Sequence, residues 1–354
     1  MRSREHRRQA ARRASLATGV GRVPTALLDE ISVAVLALRG DELSYANAAA
    51  HRLGVVRGAF LVVPEIRKLA RLVRRDGVRR ELDLSLPAPD LGLGRVPVHA
   101  ELFLLGGDEV GVVVADQTEV ARVEAVRRDF VANVSHEVKT PVGAISVLAE
   151  AVREARDDPV AVAHFADRIA AETARLSRLV QELLDLSRVQ GGEPLPELRA
   201  VPVDRVVADA IERLQPAADS KGVRVELHTD GGHVVLGDPA QLTLAVVNLT
   251  DNAIAYSDPD TTVTVSVHAR EDVVEVAVVD QGVGIPPEDL DRIFERFYRV
   301  DPARSRATGG TGLGLAIVKH VLHNHGGEVT VSSRLGHGST FTLRLPMAAE
   351  VEPA

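Results

Sequence analysis

The sequence contains no cysteine in its 354 residues, which excludes disulfide bonds, thiol catalysis and cysteine-ligated metal sites. It also contains no long hydrophobic run. The apolar stretch from Val33 to Leu38 is far shorter than the roughly 18 to 20 residues that a membrane-spanning helix needs. We therefore expect no transmembrane helix in this chain.

The basic leader, residues 1–24, has no apolar stretch behind it and therefore does not predict a secretory signal peptide. It is compatible with binding to anionic lipid, or with membrane association through an anchor that is missing from the amino terminus. The net charge of -8 argues against non-specific nucleic acid binding over the whole surface. We expect no direct nucleic acid partner.

Hydrophobic residues make up 45% and charged residues 26% of the chain, a balance typical of folded domains. Residues 25–118 contain strand-like segments at Glu81–Leu86, Val96–Leu105 and Glu109–Ala115. An earlier strand turns into a helix at Tyr45–Ala49, and this turn resembles that of a PAS domain. We expect a PAS-like α/β sensor domain with an antiparallel sheet.

Residues 119–192 predict two helices, because apolar residues recur there at spacings of three, four or seven. The two stripes are Val123, Val126, Phe130, Val134, Val138, Ile145, Leu148 and Val152, and Phe165, Ile169, Leu176, Leu179, Leu183 and Leu186. A helical hairpin cannot cover such stripes alone, whereas a second copy would complete a four-helix bundle. We therefore expect a homodimer.

Residues 193–346 predict an α/β domain, after a C-cap and linker indicated by Gly191-Gly192 and two prolines. Helices and strands with period-two apolar residues alternate in this region. The predicted helices are Val203–Leu214, Pro239–Tyr256 and Gly314–His325, and the predicted strands are Thr261–His268, Val273–Val279, Glu328–Ser332 and Thr340–Leu345. We expect helices packed on a mixed sheet, followed by a tail at residues 347–354.

His136 lies on the first predicted helix, two residues from the apolar positions Val134 and Val138. At about 100° per residue, this spacing turns the imidazole towards solvent. Glu137 is adjacent to it, and Thr140 lies one turn further along the same face. A lone exposed histidine is usually an ordinary surface residue, so the surrounding residues must decide its role.

The segment Phe130-Val131-Ala132-Asn133-Val134-Ser135-His136-Glu137-Val138-Lys139-Thr140-Pro141 resembles the H box of two-component sensor histidine kinases almost residue for residue. The resemblance implies that His136 is the nucleophile that accepts the phosphoryl group, because a neutral imidazole has a free lone pair. It implies that Glu137 takes the ring proton as general base. Thr140 would orient water for dephosphorylation of the response regulator.

Four further segments resemble the nucleotide-binding boxes of this family, in the family order. They are the N box at 248–253, the G1 box at 280–285, the F box at 293–298 and the G2 box at 309–316. The resemblance implies that Asp280 accepts a hydrogen bond from the adenine amino group and that Asn252 binds Mg²⁺. The implied nucleotide-binding residues are Asn248, Asn252, Tyr256, Asp280, Gly282, Gly284, Gly310, Thr311, Gly312, Leu313 and Gly314.

The glycine-rich segment leads directly into a helix, whose backbone N–H groups and positive end suit a triphosphate. Residues 286–310 would form a mobile lid over the nucleotide. One position departs from the family pattern: Ala255 stands where a lysine often precedes the aromatic residue. We expect another basic residue, Arg299 or Arg304, to supply the missing phosphate contact.

The chain is thereby identified as a member of the two-component sensor histidine kinases, similar to the PhoR-like, phosphate-responsive actinobacterial branch. The resemblance implies ATP-dependent autophosphorylation of His136 and phosphotransfer to an aspartate of a response regulator, here one of the OmpR/PhoB type. It also implies phosphatase activity towards that regulator and a cytoplasmic catalytic region, which in relatives is usually anchored in the plasma membrane.

The fold class that follows is multidomain α+β: a PAS-like sensor domain, a dimerising helical hairpin, and an α/β-sandwich ATP-binding domain of the GHKL (Bergerat) type. Two alternatives remain. An ATPase of the gyrase and MutL type shares the nucleotide boxes but needs no H box. A non-catalytic scaffold would bind nucleotide without transferring phosphate.

Overall fold

The computed structural model describes residues 25–87, 94–190, 198–301 and 310–348. The leader, the C-cap predicted at Gly191-Gly192, Arg304 and most of the tail lie outside the described residues. The chain divides into two compact units, the first ending at Asp129 and the second beginning at Phe130. The helices of the described residues include none that is long and apolar enough to cross a bilayer.

The first unit contains a five-stranded sheet in the order β2-β1-β7-β6-β5, with every neighbouring pair antiparallel. Its elements are α1 (Thr25–Glu30), β1 (Ala34–Arg39), β2 (Glu42–Ala46), α2 (Ala48–Arg52), β3 (Val56–Arg57), β4 (Phe60–Leu61), α3 (Pro64–Asp76), β5 (Arg80–Pro87), β6 (Arg95–Gly106) and β7 (Glu109–Asp116). The strands predicted at Glu81, Val96 and Glu109 are thus present, each within one residue of its predicted start.

The turn from β2 into α2 is fixed by Asn47, which is fully buried. Its Oδ1 accepts hydrogen bonds from the backbone N–H groups of Ala50 and Val35, both at 3.0 Å. Its Nδ2 donates to the carbonyl oxygens of Leu28 and Val33, both at 2.9 Å. One asparagine therefore caps the helix and ties it to the start of the sheet.

Two long helices follow, α4 (Thr118–Glu154) and α5 (Pro159–Gln190). Asp158 begins α5, because its Oδ1 accepts hydrogen bonds from the backbone N–H groups of Val160 and Ala161 at 3.0 and 3.1 Å. Pro141 lies inside α4 without ending it. The predicted pair of helices is therefore confirmed.

The predicted apolar stripes are covered unevenly. Leu148, Leu179 and Leu186 are buried, whereas Val123 and Val126 are 66% and 47% exposed in the single chain. The later part of the α5 stripe packs against more than the hairpin, because Leu179 and Leu186 belong to the same hydrophobic core as the α/β domain that follows. Spacing alone does not identify this packing partner.

The α/β domain carries a five-stranded mixed sheet in the order β13-β14-β12-β11-β9, with β9 and β11 parallel and the other pairs antiparallel. Its elements are β8 (Arg199–Pro202), α6 (Val203–Lys221), β9 (Arg224–Thr229), β10 (Val234–Gly237), α7 (Pro239–Tyr256), β11 (Thr262–Arg270), β12 (Val273–Val279), a 3₁₀ turn (Pro287–Asp289), α8 (Gly314–Asn324), β13 (Glu328–Arg334) and β14 (Gly338–Pro346).

The predicted bounds of α7 and β12 are exact, and the mixed sheet is confirmed. The helix predicted to end at Leu214 instead continues through Pro216 to Lys221, where Gly222 ends it in the left-handed conformation. The short strands β8, β9 and β10 were not predicted. β8 and β10 have only four residues each, whereas β9 has six and does alternate, with Val225 and Leu227 between polar residues.

Candidate active site

One cavity in the second unit brings the predicted nucleotide residues together. Its walls include Asn248, Asn252, Tyr256, Asp280, Gly284, Gly310, Thr311, Gly312 and Gly314. Of the other two predicted residues, Leu313 is fully buried and Gly282 lies against the backbone carbonyl of Tyr256. Segments that are far apart in the sequence thus form one site, at the ends of α7 and β12 and the start of α8.

Asp280 lies at the end of β12 and is buried. Its Oδ1 accepts hydrogen bonds from the backbone N–H groups of Gly282 at 2.8 Å and Ser339 at 3.1 Å. Burial raises the pKa of this carboxyl group, and the hydrogen bonds from Gly282 and Ser339 partly offset that effect. The carboxylate is therefore held rigidly in the cavity wall.

Asn248 and Asn252 lie one turn apart on α7 and both face the cavity. The Nδ2 atom of Asn248 donates to the carbonyl oxygen of Leu244 at 2.8 Å. Its Oδ1 lies so close to Gly314 that a Cβ built on that glycine would approach it to 2.6 Å. The N box and the glycine-rich segment therefore pack in direct contact.

The glycine-rich turn requires glycine at Gly312, whose φ is +77°. A Cβ there would lie 2.8 Å from the backbone carbonyl carbon of Phe297. The carbonyl oxygen of Gly312 also accepts a hydrogen bond from the N–H of Phe297 at 2.8 Å. The F box and the G2 box are thus joined backbone to backbone, immediately before α8 begins.

His136 is exposed on α4, as predicted from its spacing. The hydroxyl of Thr140 donates to the carbonyl oxygen of His136 at 3.0 Å. Glu137 points elsewhere: its Oε2 accepts a hydrogen bond from Nη2 of Arg299 at 2.9 Å and lies 3.5 Å from Nη2 of Arg175. The carboxylate predicted to serve the imidazole is therefore paired with two guanidinium groups.

The end of α7, where Ala255 departs from the family pattern, is contacted by a lysine of α6. Lys221 donates to the carbonyl oxygens of Ile254 and Ala255 and so caps the end of α7. Arg299 lines the cavity, which supports its assignment as the replacing cation, whereas Arg304 lies outside the described residues. Arg178, on α5, is a second arginine in the cavity wall and was not predicted.

Two acidic residues in the cavity wall were also missed. Glu182, on α5, accepts a hydrogen bond from the hydroxyl of Thr311, and burial raises its pKa to about 7. Burial likewise raises the pKa of Asp251, which precedes Asn252 on α7. Arg178 and Glu182 are four positions apart on α5, so the sequence places them on one face of the helix. It does not show that this face lines the nucleotide cavity.

Two family matches coincide with these features. Residues 126–192 match the family described as the His Kinase A (phospho-acceptor) domain. The matched segment contains the exposed His136. Residues 237–349 match the histidine kinase-, DNA gyrase B-, and HSP90-like ATPase family. This segment includes α7, β12 and α8, and it carries most of the cavity wall.

Known proteins resemble the chain over most of its length. The sensor-like histidine kinase SenX3 of Mycolicibacterium smegmatis is 48% identical over 323 residues, covering 90% of this chain and 84% of that protein. The phosphate regulon sensor protein PhoR of Pseudomonas aeruginosa is 34% identical over 270 residues, covering 76% of this chain and 60% of that protein.

A solved structure of histidine kinase ThkA in complex with the response regulator protein TrrA covers 92% of this chain and 99% of the matched chain. The TM-score is 0.52 and the sequence identity is 21%. This likeness agrees with the multidomain α+β fold.

Proposed function

Because this chain belongs to the PhoR-like sensor histidine kinases of two-component systems, we propose that it transfers the γ-phosphoryl group of ATP to His136. Membership of the family makes the chain a protein histidine kinase whose ATPase domain binds ATP. The residue assignments are the proposal. The observation that carries them is the meeting of Asn252, Asp280 and the Gly312–Gly314 turn in one cavity.

The transfer to His136 is a nucleophilic displacement. One ring nitrogen of the neutral imidazole attacks the γ-phosphorus, an N–P bond forms, and the bond to the leaving oxygen of ADP breaks. The proton on the other ring nitrogen passes to the Glu137 carboxylate. Glu137 follows His136 directly on the helix, and the step requires its carboxylate to leave Arg299 and turn to the ring.

The cavity fits a nucleotide with its Mg²⁺ ion. Gly312 and Gly314 let the turn before α8 pack against Phe297 and Asn248, where a Cβ would clash, and the backbone N–H groups at the start of α8 would bind phosphate. Asp280 would accept a hydrogen bond from the adenine amino group. The amide oxygen of Asn252 would bind Mg²⁺, which would screen the charge of the triphosphate.

A second copy of the chain would complete the hairpin. Several apolar side chains of α4 and α5 are exposed in the single chain, as a face that packs against a partner would be. They include Val131 (56%) and Val142 (45%) on one side of α4, and Val180 (47%) and Leu184 (49%), one turn apart on α5. We therefore retain the homodimeric four-helix bundle, and for the first unit the PAS-like sensor role, as parts of the proposal.

The acceptor of the phosphoryl group would be an aspartate of a response regulator. ThkA was solved with its response regulator protein, which supports the same class of partner for this chain. By its resemblance to PhoR-like kinases, the partner would be of the OmpR/PhoB type, Thr140 would assist its dephosphorylation, and the stimulus would be phosphate. A cytoplasmic location of the catalytic region belongs to the same proposal.

Incubation of the purified chain with γ-labelled ATP and Mg²⁺ tests the central step. We expect acid-labile label on the wild type and on His164→Gln, which removes another exposed histidine of the hairpin, and no label on His136→Gln. ATP hydrolysis without protein-bound label would refute the kinase assignment and favour a gyrase-like ATPase. Nucleotide binding with neither label nor hydrolysis would favour a scaffold.

A further inference from the structure

Each helix of the phosphotransfer hairpin places one carboxylate against a group of the nucleotide cavity. Glu137 of α4 accepts a hydrogen bond from Arg299, and Glu182 of α5 accepts one from Thr311. Arg299 and Thr311 both line the cavity. The same two donors therefore face the hairpin carboxylates and the space assigned to the triphosphate.

Arg299 needs an anionic partner, because its side chain is only 8% exposed. Glu137 provides that partner at 2.9 Å. A phosphate oxygen is an equally suitable acceptor for a guanidinium group. Glu137 and the triphosphate therefore compete for one cation, and Glu137 would keep only its longer contact with Arg175, at 3.5 Å, if it lost Arg299.

Glu182 competes in the same way for the buried hydroxyl of Thr311. The charged groups around Glu182 are Arg178, one turn earlier on α5, Asp185, further along α5, and Asp251 of α7. Two of these three groups are acidic. A triphosphate placed beside an ionised Glu182 would therefore meet like-charge repulsion at short range.

We propose that these contacts form a carboxylate latch, Glu137 with Arg299 and Glu182 with Thr311, which ATP opens when it binds. This proposal rests on the proposed function, since it takes the cavity to be the ATP site and Glu137 to be the base. Opening transfers Arg299 and Thr311 to the triphosphate and releases Glu137 towards His136. The base thus becomes available only when the phosphoryl donor is in place.

The latch also has a mechanical consequence, because α5 contacts α8 next to it. The Nδ2 atom of Asn324 donates to the carbonyl oxygen of Val189 at 2.9 Å, and the side-chain amide of Gln190 lies 3.1 Å from Nε2 of His320. Opening the latch removes the polar contacts of Glu137 and Glu182 from the same interface. We therefore expect nucleotide to loosen the docking of the α/β domain on the hairpin.

Calorimetric titration with a non-hydrolysable ATP analogue and Mg²⁺ tests the competition in the full chain. Glu182→Ala removes the acceptor of the Thr311 hydrogen bond, and we expect it to bind the analogue about tenfold more tightly than the wild type, because less of the protein is held closed. Asp167→Ala is the matched control, since Asp167 is an exposed carboxylate on the same helix that does not line the cavity, and it should bind within about twofold of the wild type. Unchanged or weaker binding by Glu182→Ala would overturn the latch.

A cysteine pair tests the opening itself. The chain has no other cysteine, so a bifunctional maleimide that bridges Gln190→Cys and His320→Cys reports the α5–α8 contact specifically. We expect the analogue to slow this cross-linking, and Glu182→Ala to slow it before any nucleotide is added. Equal rates with and without the analogue would contradict opening.

Asp280→Asn separates failure of the latch from failure of the site. If this variant loses the analogue while Glu182→Ala binds like the wild type, the site stands and the latch is wrong. If Asp280→Asn binds normally, the cavity is not the ATP site and both proposals fall.

Discussion

Glu137 and Arg299 lie 2.9 Å apart although 162 positions separate them in the sequence. One is the residue after the histidine of the H box, and the other follows the F box. The contact links the residue proposed to take a proton from His136 with a cation of the nucleotide cavity. It therefore couples the two halves of the proposed reaction before any transfer occurs.

Removing the proton acceptor separates catalysis from binding. We expect Glu137→Gln to lower the initial rate of autophosphorylation by about 10²- to 10⁴-fold, the usual contribution of a general base. Affinity for an ATP analogue should be unchanged or higher, because Arg299 loses a competitor. Glu150→Gln, an exposed glutamate on the same helix, should label at the wild-type rate. Wild-type labelling of Glu137→Gln would exclude it as the base.

The adenine contact is tested by a nearly isosteric change. In Asp280→Asn, the amide oxygen can still accept the hydrogen bonds from Gly282 and Ser339, so the fold should persist. The amide nitrogen then presents a donor to the adenine amino group, and we expect binding to weaken about 10- to 100-fold. Asp272→Asn, in the exposed turn before β12, is the control for calorimetry. Equal affinities would show that Asp280 does not contact the base.

Sequence reasoning succeeded where the signal is local. The start of α7 follows from Asp238, whose side chain caps the helix, and from Pro239 in its first turn. Asn248 and Asn252 are four positions apart on that helix, and this spacing predicts that they lie on the same face. The glycines before α8 follow from the demands of a tight turn. Each of these inferences uses residues within about one or two turns of each other.

Contacts between segments that are distant in the sequence were not predicted. Glu182 and Thr311 are 129 positions apart, and the apolar stripe of α5 gives no indication that Arg178 and Glu182, beside it, meet the nucleotide cavity. The pairing of Lys221 with the end of α7 is equally non-local. Such contacts depend on how the hairpin packs against the α/β domain, which hydrophobic periodicity does not encode.

The glycine-rich turn offers a matched pair of substitutions. Gly312 and Gly336 both have φ of +77°, but a Cβ meets the Phe297 backbone at 2.8 Å in the first and nothing within 4 Å in the second. Both alanine variants should lose roughly 1–2 kcal/mol of stability from the left-handed conformation. We expect only Gly312→Ala to lose analogue binding by more than tenfold in calorimetry. Equal affinities of the two variants would argue against close packing of the F and G2 boxes in the binding state.

The proposed dimer depends on the exposed apolar face of the hairpin. Leu184 on α5 and Leu236 on β10 have similar exposures, 49% and 46%. Leu184→Glu places a charge where the second hairpin would pack, and we expect a monomer in light scattering at micromolar concentration. Leu236→Glu should remain dimeric. A dimeric Leu184→Glu variant would exclude this face from the interface.

The latch predicts proton release when nucleotide binds. Burial is the main cause that raises the pKa of Glu182 to about 7, from an ordinary value near 4.5, with Asp251 and Asp185 adding to it and Thr311 and Arg178 opposing it. The closed latch is therefore favoured by a protonated Glu182; this stabilisation is complete below about pH 4.5 and is lost as the pH rises through about 7. If ATP displaces Glu182 into water, the carboxyl group returns to its ordinary pKa and loses its proton, so affinity should rise with pH across that window.

Titrations in two buffers of different ionisation enthalpy measure this proton directly. Near pH 6, we expect the wild type to release more protons on binding than Glu182→Gln, which cannot titrate at this position and corrects for the titration of the nucleotide. If Glu182 instead stayed beside the triphosphate, the added negative charge would raise its pKa further. The wild type would then take up protons relative to the variant, so the sign of the difference decides whether the side chain leaves the cavity.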